Sequence, residues 1–91
     1  VIWVDSDGVI AAPQYKSVLI TSVLKGVGTS VAQVIRDQKS GKFSSTPYLG
    51  TIKNKGTGLA PFYDYDSKIS QKTKDELKRI SLAIAAGSLK I

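Results

Sequence analysis

The sequence predicts a mixed α/β fold of three layers, in which helices cover the faces of a sheet. Two observations lead to this prediction. Short apolar runs of strand length alternate along the 91 residues with segments whose apolar residues recur at helical spacing. In chain order the predicted elements are a strand, a strand that can pass into a helix, a helix, a strand and a helix, which is the order of a three-layer α/β sheet. Since only two or three strands are present, we expect this sheet to be incomplete.

The first two strands are predicted from apolar runs. Val1 to Val4 form a continuous apolar run, typical of a strand buried on both faces, and it ends in the polar turn Asp5-Ser6-Asp7-Gly8. The second run, residues 18–24, is rich in β-branched side chains. It is interrupted at Thr21 and Ser22, where the chain could change from strand to helix.

The middle of the chain predicts one helix and one strand. Ser30 and Gln33 have the spacing of a capping box, and Gly41 is a candidate C-terminal cap, so we place a helix at about 30–40. Residues 48–52 alternate between polar and apolar well enough to predict a strand.

The last helix is the clearest element. Ser70 is placed to cap its start and Gly87 to end it, and one face carries the apolar residues Leu77, Ile80, Ala83 and Ile84. No linker or repeat interrupts the sequence. We therefore treat residues 1–91 as one segment without an internal domain boundary.

Composition excludes several kinds of site. The chain has 13 Lys+Arg against 7 Asp+Glu, a formal net charge of +6, and no Cys or His. It therefore holds no Cys/His zinc site, disulfide, thiol nucleophile or Ser-His-Asp triad. No apolar run approaches the roughly 18–20 residues of a membrane span. The chain lacks Met and opens inside an apolar run, so we interpret it as a piece of a longer protein.

Two carboxylates follow the first strand. Asp5 and Asp7 lie at its carboxyl end, where open α/β sheets bind ligands and where a carboxylate can accept hydrogen bonds from sugar hydroxyls or hold Mg²⁺. The same residues could simply cap their own backbone in an Asx turn.

An enzymatic interpretation is one alternative. Val-Asp-Ser-Asp-Gly-Val resembles the first motif of haloacid-dehalogenase-type phosphotransferases, in which Asp5 would be the nucleophile and Asp7 the general acid beside Mg²⁺. That family places its phosphate-holding hydroxyl and its lysine on separate later strands. Here Thr21, Ser22 and Lys25 lie only three or four residues apart.

A second alternative is a small basic module that binds nucleic acid. The basic residues of the last helix could form a stripe that faces phosphate: Lys72, Lys74, Lys78 and Arg79. Asp75 and Glu76 interrupt this stripe, and no nucleic-acid-binding motif accompanies it. We expect a solvated helix face and no nucleic-acid partner.

The whole chain resembles the basic membrane lipoproteins, the purine-nucleoside-receptor-like substrate-binding proteins of ABC importers. The residues that carry the resemblance are, in order, Val4-Asp5-Ser6-Asp7, Ala12-Pro13, Val18-Leu19-Ile20-Thr21-Ser22-Val23-Leu24-Lys25, Gly41-Lys42-Phe43, Tyr48-Leu49-Gly50, Gly56-Thr57-Gly58-Leu59-Ala60-Pro61-Phe62, Asp66-Ser67-Lys68-Ile69 and Ala86-Gly87-Ser88-Leu89-Lys90-Ile91.

The resemblance implies a fold like that of the type I periplasmic binding proteins, with two α/β lobes joined by a hinge of several strands. This chain is similar to the C-terminal third. Its first strand would belong to the C-terminal lobe, and the segments near 18–24 and 48–60 would cross the hinge. Alone, such a piece should leave large apolar faces uncovered.

The resemblance also implies a function. Asp5 matches the family aspartate that accepts hydrogen bonds from ribose hydroxyls, and Lys25 matches the lysine that reaches the same sugar. The ligand would be a nucleoside, with purines favoured, and the partners would be an ABC permease and the remainder of the parent chain. We expect no enzymatic activity, cofactor or metal, and an extracytoplasmic protein held at the membrane by a lipid anchor outside this segment.

Three positions depart from the family pattern. Gly8 stands where glutamine is usual, Gly26-Val27-Gly28 replaces a more polar start of the next helix, and Thr57 stands where valine is common. We expect the glycines to loosen the segment beside Lys25.

Three aromatic residues remain for the structure to place. We expect Trp3 in the core, and Tyr63 and Tyr65 in a loop packed over the hinge and not stacked on a ligand.

Overall fold

Three short strands form one open sheet. The computed structural model describes residues 1–91, with strands β1 (Ile2–Asp5), β2 (Thr21–Lys25) and β3 (Thr57–Leu59) in the order β1-β2-β3. Strands β1 and β2 are parallel, with Asp5 opposite Leu24, and β2 and β3 are antiparallel. The predicted α/β class is confirmed for this small mixed domain.

Helical segments connect and follow the strands. They are a short helix α1 (Gly8–Ala11), a 3-10 helix (Pro13–Val18), helix α2 (Val27–Lys39), a second 3-10 helix (Tyr63–Lys68) and helix α3 (Gln71–Ala86). None of these helices combines the length and the apolar character needed to cross a bilayer.

The core is small. Its buried apolar side chains are Ala12, Leu19 and Ala60. Trp3 is half-buried and packs on Gly8, where an added Cβ would lie 2.7 Å from the indole Cγ. That contact explains why glycine, and not the glutamine that the resemblance led us to expect, stands at position 8.

The second strand begins where we expected it to end. The first 3-10 helix ends at Val18, and β2 runs from Thr21 to Lys25. The Thr21 hydroxyl donates to the Ala60 carbonyl at 2.7 Å, and the Ser22 hydroxyl accepts from the Gly8 N–H at 3.0 Å. Because both buried hydroxyls are hydrogen-bonded to other segments, the two polar residues fit at the start of the strand and do not break it.

Helix α2 starts earlier than the predicted capping box. Its first residue is Val27, and the Ser30 hydroxyl donates back to the Gly26 carbonyl at 2.8 Å instead of capping the helix. This bond to the carbonyl four residues earlier is typical of serine inside a helix. The predicted end is confirmed, since Gly41 has a left-handed φ of 72° and the Lys42 N–H donates to the Asp37 carbonyl.

The strand predicted at 48–52 is wrong. The third strand is β3, and the segment before it folds around the side chain of Asn54. That side chain accepts from the N–H groups of Thr51 and Gly56 and donates to the Leu49 carbonyl. Asparagine here gives the backbone partners that a neighbouring strand would otherwise provide.

Helix α3 confirms its prediction at both ends. The Ser70 hydroxyl accepts from the Thr73 N–H at 3.2 Å, and Gly87 adopts a left-handed φ of 80° at the C-terminal cap. The predicted apolar face is half-buried along its length.

Much apolar surface stays uncovered, as expected. The chain exposes 6905 Å², whereas a compact protein of its mass exposes about 5,100 Å². Its radius of gyration is 15.6 Å, against about 12 Å for a compact chain of this length. The expectation that β1 is buried on both faces is wrong, because Ile2 and Val4 are 59% and 64% exposed. The strand also lies at the edge of the sheet, with β2 as its one neighbour.

Candidate functional site

The structure brings Asp5 and Lys25 together. Asp5 ends β1 and Lys25 ends β2, and because parallel strands end at the same edge of a sheet, their side chains meet there. The distance from Lys25 Nζ to Asp5 Oδ1 is 2.9 Å. Both side chains remain about two-thirds exposed, at 67% and 70%, so the pair is open to solvent and to a ligand.

Asp5 occupies a tight turn. Its φ is 74°, in the left-handed region, and the Ser6 N–H donates to the Val4 carbonyl at 3.1 Å across it. Aspartate tolerates this conformation better than most residues, yet such backbone outliers are uncommon and concentrate at functional sites. The turn ends the strand and directs the chain toward α1.

Lys25 is followed by a close contact between backbone segments. The Gly26 N–H donates to the Gly56 carbonyl at 2.9 Å, and a Cβ at Gly26 would lie 2.4 Å from the Lys55 carbonyl oxygen. A Cβ at Gly56 would in turn lie 2.3 Å from Gly50 Cα. The expectation that Gly26 loosens this segment is therefore wrong, because the absence of a side chain lets the two segments pack directly.

A cavity adjoins the pair. Its volume is about 550 Å³, and half of the residues that line it are apolar. Besides Asp5 and Lys25, its polar lining includes Ser30, Tyr48 and Thr57. This volume lies within the roughly 300–1,000 Å³ of typical small-molecule sites. The sequence analysis did not identify these three residues as lining, because they come from a helix, a loop and a strand whose meeting point no periodicity predicts.

Asp7 orders the loop and does not face Lys25. Its Oδ1 accepts from the Val9 N–H at 3.1 Å, capping α1, and its Oδ2 accepts from the Tyr63 hydroxyl at 2.5 Å. This hydrogen bond, together with partial desolvation and the negative charge of Asp7, raises the pKa of Tyr63 above its ordinary value. The Tyr65 hydroxyl donates to the Ser17 carbonyl at 2.5 Å, and neither tyrosine lines the cavity.

The groups that the phosphotransferase alternative requires are engaged elsewhere. The hydroxyls of Thr21 and Ser22 are buried in backbone hydrogen bonds and do not face Asp5. Within the 91 residues, no three acidic side chains cluster in a way that could hold a metal ion.

The basic face of α3 is partly neutralised. Lys74 pairs with Asp66 at 2.7 Å, and Arg79 pairs with Glu76 at 2.6 Å. The hydrogen bond from Arg79 lowers the pKa of Glu76. Half of the basic stripe considered for nucleic acid is thus engaged by carboxylates of the same chain.

No family model matches this chain, and no curated protein matches it either. The architecture and the geometry of the Asp5–Lys25 pair are therefore the observations from which a function can be argued.

Proposed function

We propose that this chain is the C-terminal portion of an extracytoplasmic solute-binding lipoprotein that captures a nucleoside, with purines favoured, for an ABC importer. The observation that carries the proposal is the 2.9 Å pair of Asp5 and Lys25 at one edge of two parallel strands, beside a cavity of about 550 Å³. The resemblance in sequence picked out the same two residues.

The pair suits the vicinal diol of a ribose. A carboxylate accepts hydrogen bonds from both hydroxyls, and an ammonium group donates to their oxygen atoms. Such charge-assisted hydrogen bonds are about twice as strong as neutral ones. A charged pair that is already assembled before the ligand arrives needs little rearrangement to bind it.

The finer fold in this proposal is that of a type I periplasmic binding protein. Two features support it: the parallel pairing of β1 and β2, and the apolar surfaces that the chain does not cover by itself. The remainder of the parent protein would cover these surfaces and supply the groups that hold the base.

The mechanism in this proposal is closure of a cleft. The ligand would bind between two lobes, stabilise their closed arrangement and thereby present that form to the permease. This activity needs no bond making, no cofactor and no metal in the chain. A lipid anchor outside residues 1–91 would hold the protein at the outer face of the membrane.

The test is a calorimetric titration of the complete parent protein, stripped of ligand by unfolding and refolding. Inosine, guanosine and adenosine are titrated in turn. We expect Asp5→Ala and Lys25→Ala each to weaken the tightest of these interactions about ten- to a hundredfold, because losing one partner of a charge-assisted pair costs about 1.5–3 kcal/mol.

Asp64→Ala is the matched control. Asp64 pairs with Lys16 at 3.3 Å and is similarly exposed, but it does not line the cavity. Its replacement should leave nucleoside affinity unchanged. If Asp5→Ala and Lys25→Ala also leave it unchanged, the proposal is wrong.

A further inference from the structure

The turn that carries Asp5 is anchored by a residue far away in the sequence. Tyr63 donates its hydroxyl hydrogen to Asp7 Oδ2 at 2.5 Å, across 56 positions of the chain. The other oxygen of the same carboxylate accepts from the Val9 N–H at 3.1 Å. Asp7 is thus held from two sides, and only Ser6 separates it from Asp5.

Tyr63 itself has an unusual backbone. Its φ is 46°, in the left-handed region, which is rare for a bulky side chain. A residue keeps such a conformation only when its surroundings hold it there. Two other bonds of the same 3-10 helix, from Tyr65 to the Ser17 carbonyl and from Lys16 to Asp64, reach residues 16 and 17 and not the turn of Asp5.

The next anchor of the turn lies in the sheet. The Gly8 N–H donates to the buried Ser22 hydroxyl at 3.0 Å, which fixes the end of the turn that leads into α1. Outside the sheet, the turn from Asp5 to Gly8 is linked to a distant segment through the Asp7 side chain, which bonds to Tyr63. A shift of Asp7 would therefore be passed through Ser6 to the Asp5 carboxylate.

We propose that Tyr63 is a positioning residue of the Asp5–Lys25 site: its hydroxyl holds the Asp7 carboxylate, and so fixes the turn from which Asp5 reaches Lys25. This inference rests on the proposed function. It adds a group that does not touch the ligand, and it connects the 3-10 helix 63–68 to the site.

The test compares Tyr63→Phe with Tyr65→Phe in the complete protein. Both variants lose one tyrosine hydroxyl hydrogen bond of the same 3-10 helix, but only Tyr63 bonds to Asp7. We expect Tyr63→Phe to weaken binding of inosine, guanosine or adenosine about two- to tenfold, the usual effect of one hydrogen bond. Tyr65→Phe should bind as the wild type does.

Hydrogen exchange gives a readout that does not depend on the ligand. Without the Tyr63 hydroxyl, the Asp7 carboxylate can rotate away from the Val9 N–H. Exchange of the Val9 amide should therefore accelerate in Tyr63→Phe and not in Tyr65→Phe. The proposal is overturned if either the affinity or the exchange of Val9 is unchanged in Tyr63→Phe, or if Tyr65→Phe shows effects of the same size.

A double-mutant cycle isolates the route through Asp7. In an Asp7→Ala background, Tyr63→Phe should cause no further loss of nucleoside affinity, whereas fully additive losses would contradict the inference. The two proposals fail differently. If Asp5→Ala and Lys25→Ala both leave affinity unchanged, the proposed function fails and this inference with it. If Asp5→Ala weakens binding and Tyr63→Phe does not, only the positioning role fails.

Discussion

The β1–α1–β2 unit and the segment that follows it differ in how they are stabilised. Residues 1–25 contain five of the seven buried residues of the chain, and their buried hydroxyls are all hydrogen-bonded. Residues 26–55, which include α2, contain none. The first region is the better packed of the two, whereas Val27, Val31 and Ile35 of α2 are more than half exposed. The Asp5–Lys25 pair thus lies in the better-packed region, and part of the cavity beside it is lined by the less-packed one.

The largest test of this difference replaces one apolar side chain in each region. Leu19 is 2% exposed, and Leu19→Ala should destabilise the chain by about 2–5 kcal/mol through loss of burial and a cavity. Val31 is 54% exposed, and Val31→Ala should change the free energy of unfolding by less than about 0.5 kcal/mol. Urea unfolding of the 91-residue chain measures both. Equal losses would mean that α2 is packed after all.

A second test compares two glycines at the junction of the regions. Gly26→Ala places a Cβ 2.4 Å from the Lys55 carbonyl oxygen, so we expect a loss of about 1–3 kcal/mol. Gly28 has no atom within 4 Å of the same position and lies inside α2. Gly28→Ala should therefore stabilise the chain by about 0.5–1 kcal/mol. The midpoints of thermal unfolding give the comparison, and a stable Gly26→Ala variant would show that the backbone contact beside Lys25 is dispensable.

The smallest effect is expected on the surface of α3. The pKa of Glu76 is lowered from its ordinary value of 4.5 by the hydrogen bond from Arg79. A lowered pKa in the folded state means that the ionised carboxylate adds stability above the ordinary value, and that this stability is lost as the pH falls through the lowered pKa. The melting temperature of the wild type should exceed that of Glu76→Gln near neutral pH, and the difference should vanish in acid. A difference that grows in acid would contradict this assignment.

The sequence predicts best what is decided locally. Helix α3 is correct at both ends because Ser70 and Gly87 act within one turn of the helix. The predicted start of α2 and the predicted strand at 48–52 are wrong, because the side chains of Ser30 and Asn54 can each bond to several nearby backbone groups. The sequence shows that these side chains can bond to the backbone, but which backbone group they bond to depends on how the segments pack together.

The residues of the candidate site also differ in how well the sequence predicts them. Asp5 and Lys25 could be chosen from the sequence by resemblance, and parallel pairing of their strands accounts for their proximity. Tyr48 in the cavity wall and Tyr63 beside Asp7 could not be assigned these places, because the loop of Tyr48 and the 3-10 helix of Tyr63 reach the site only in the folded chain. Their positions depend on contacts over a long distance in sequence, which neither periodicity nor spacing encodes.

The open edge of β1 has a consequence for synthesis. Its apolar residues, from Ile2 to Val4, contain no lysine or proline that would discourage pairing with another strand. In the proposed arrangement the rest of the protein precedes this chain, so the ribosome would release the covering strands before β1 emerges. The unpaired edge of β1 could then pair at once with strands that are already synthesised, so it would be exposed only briefly.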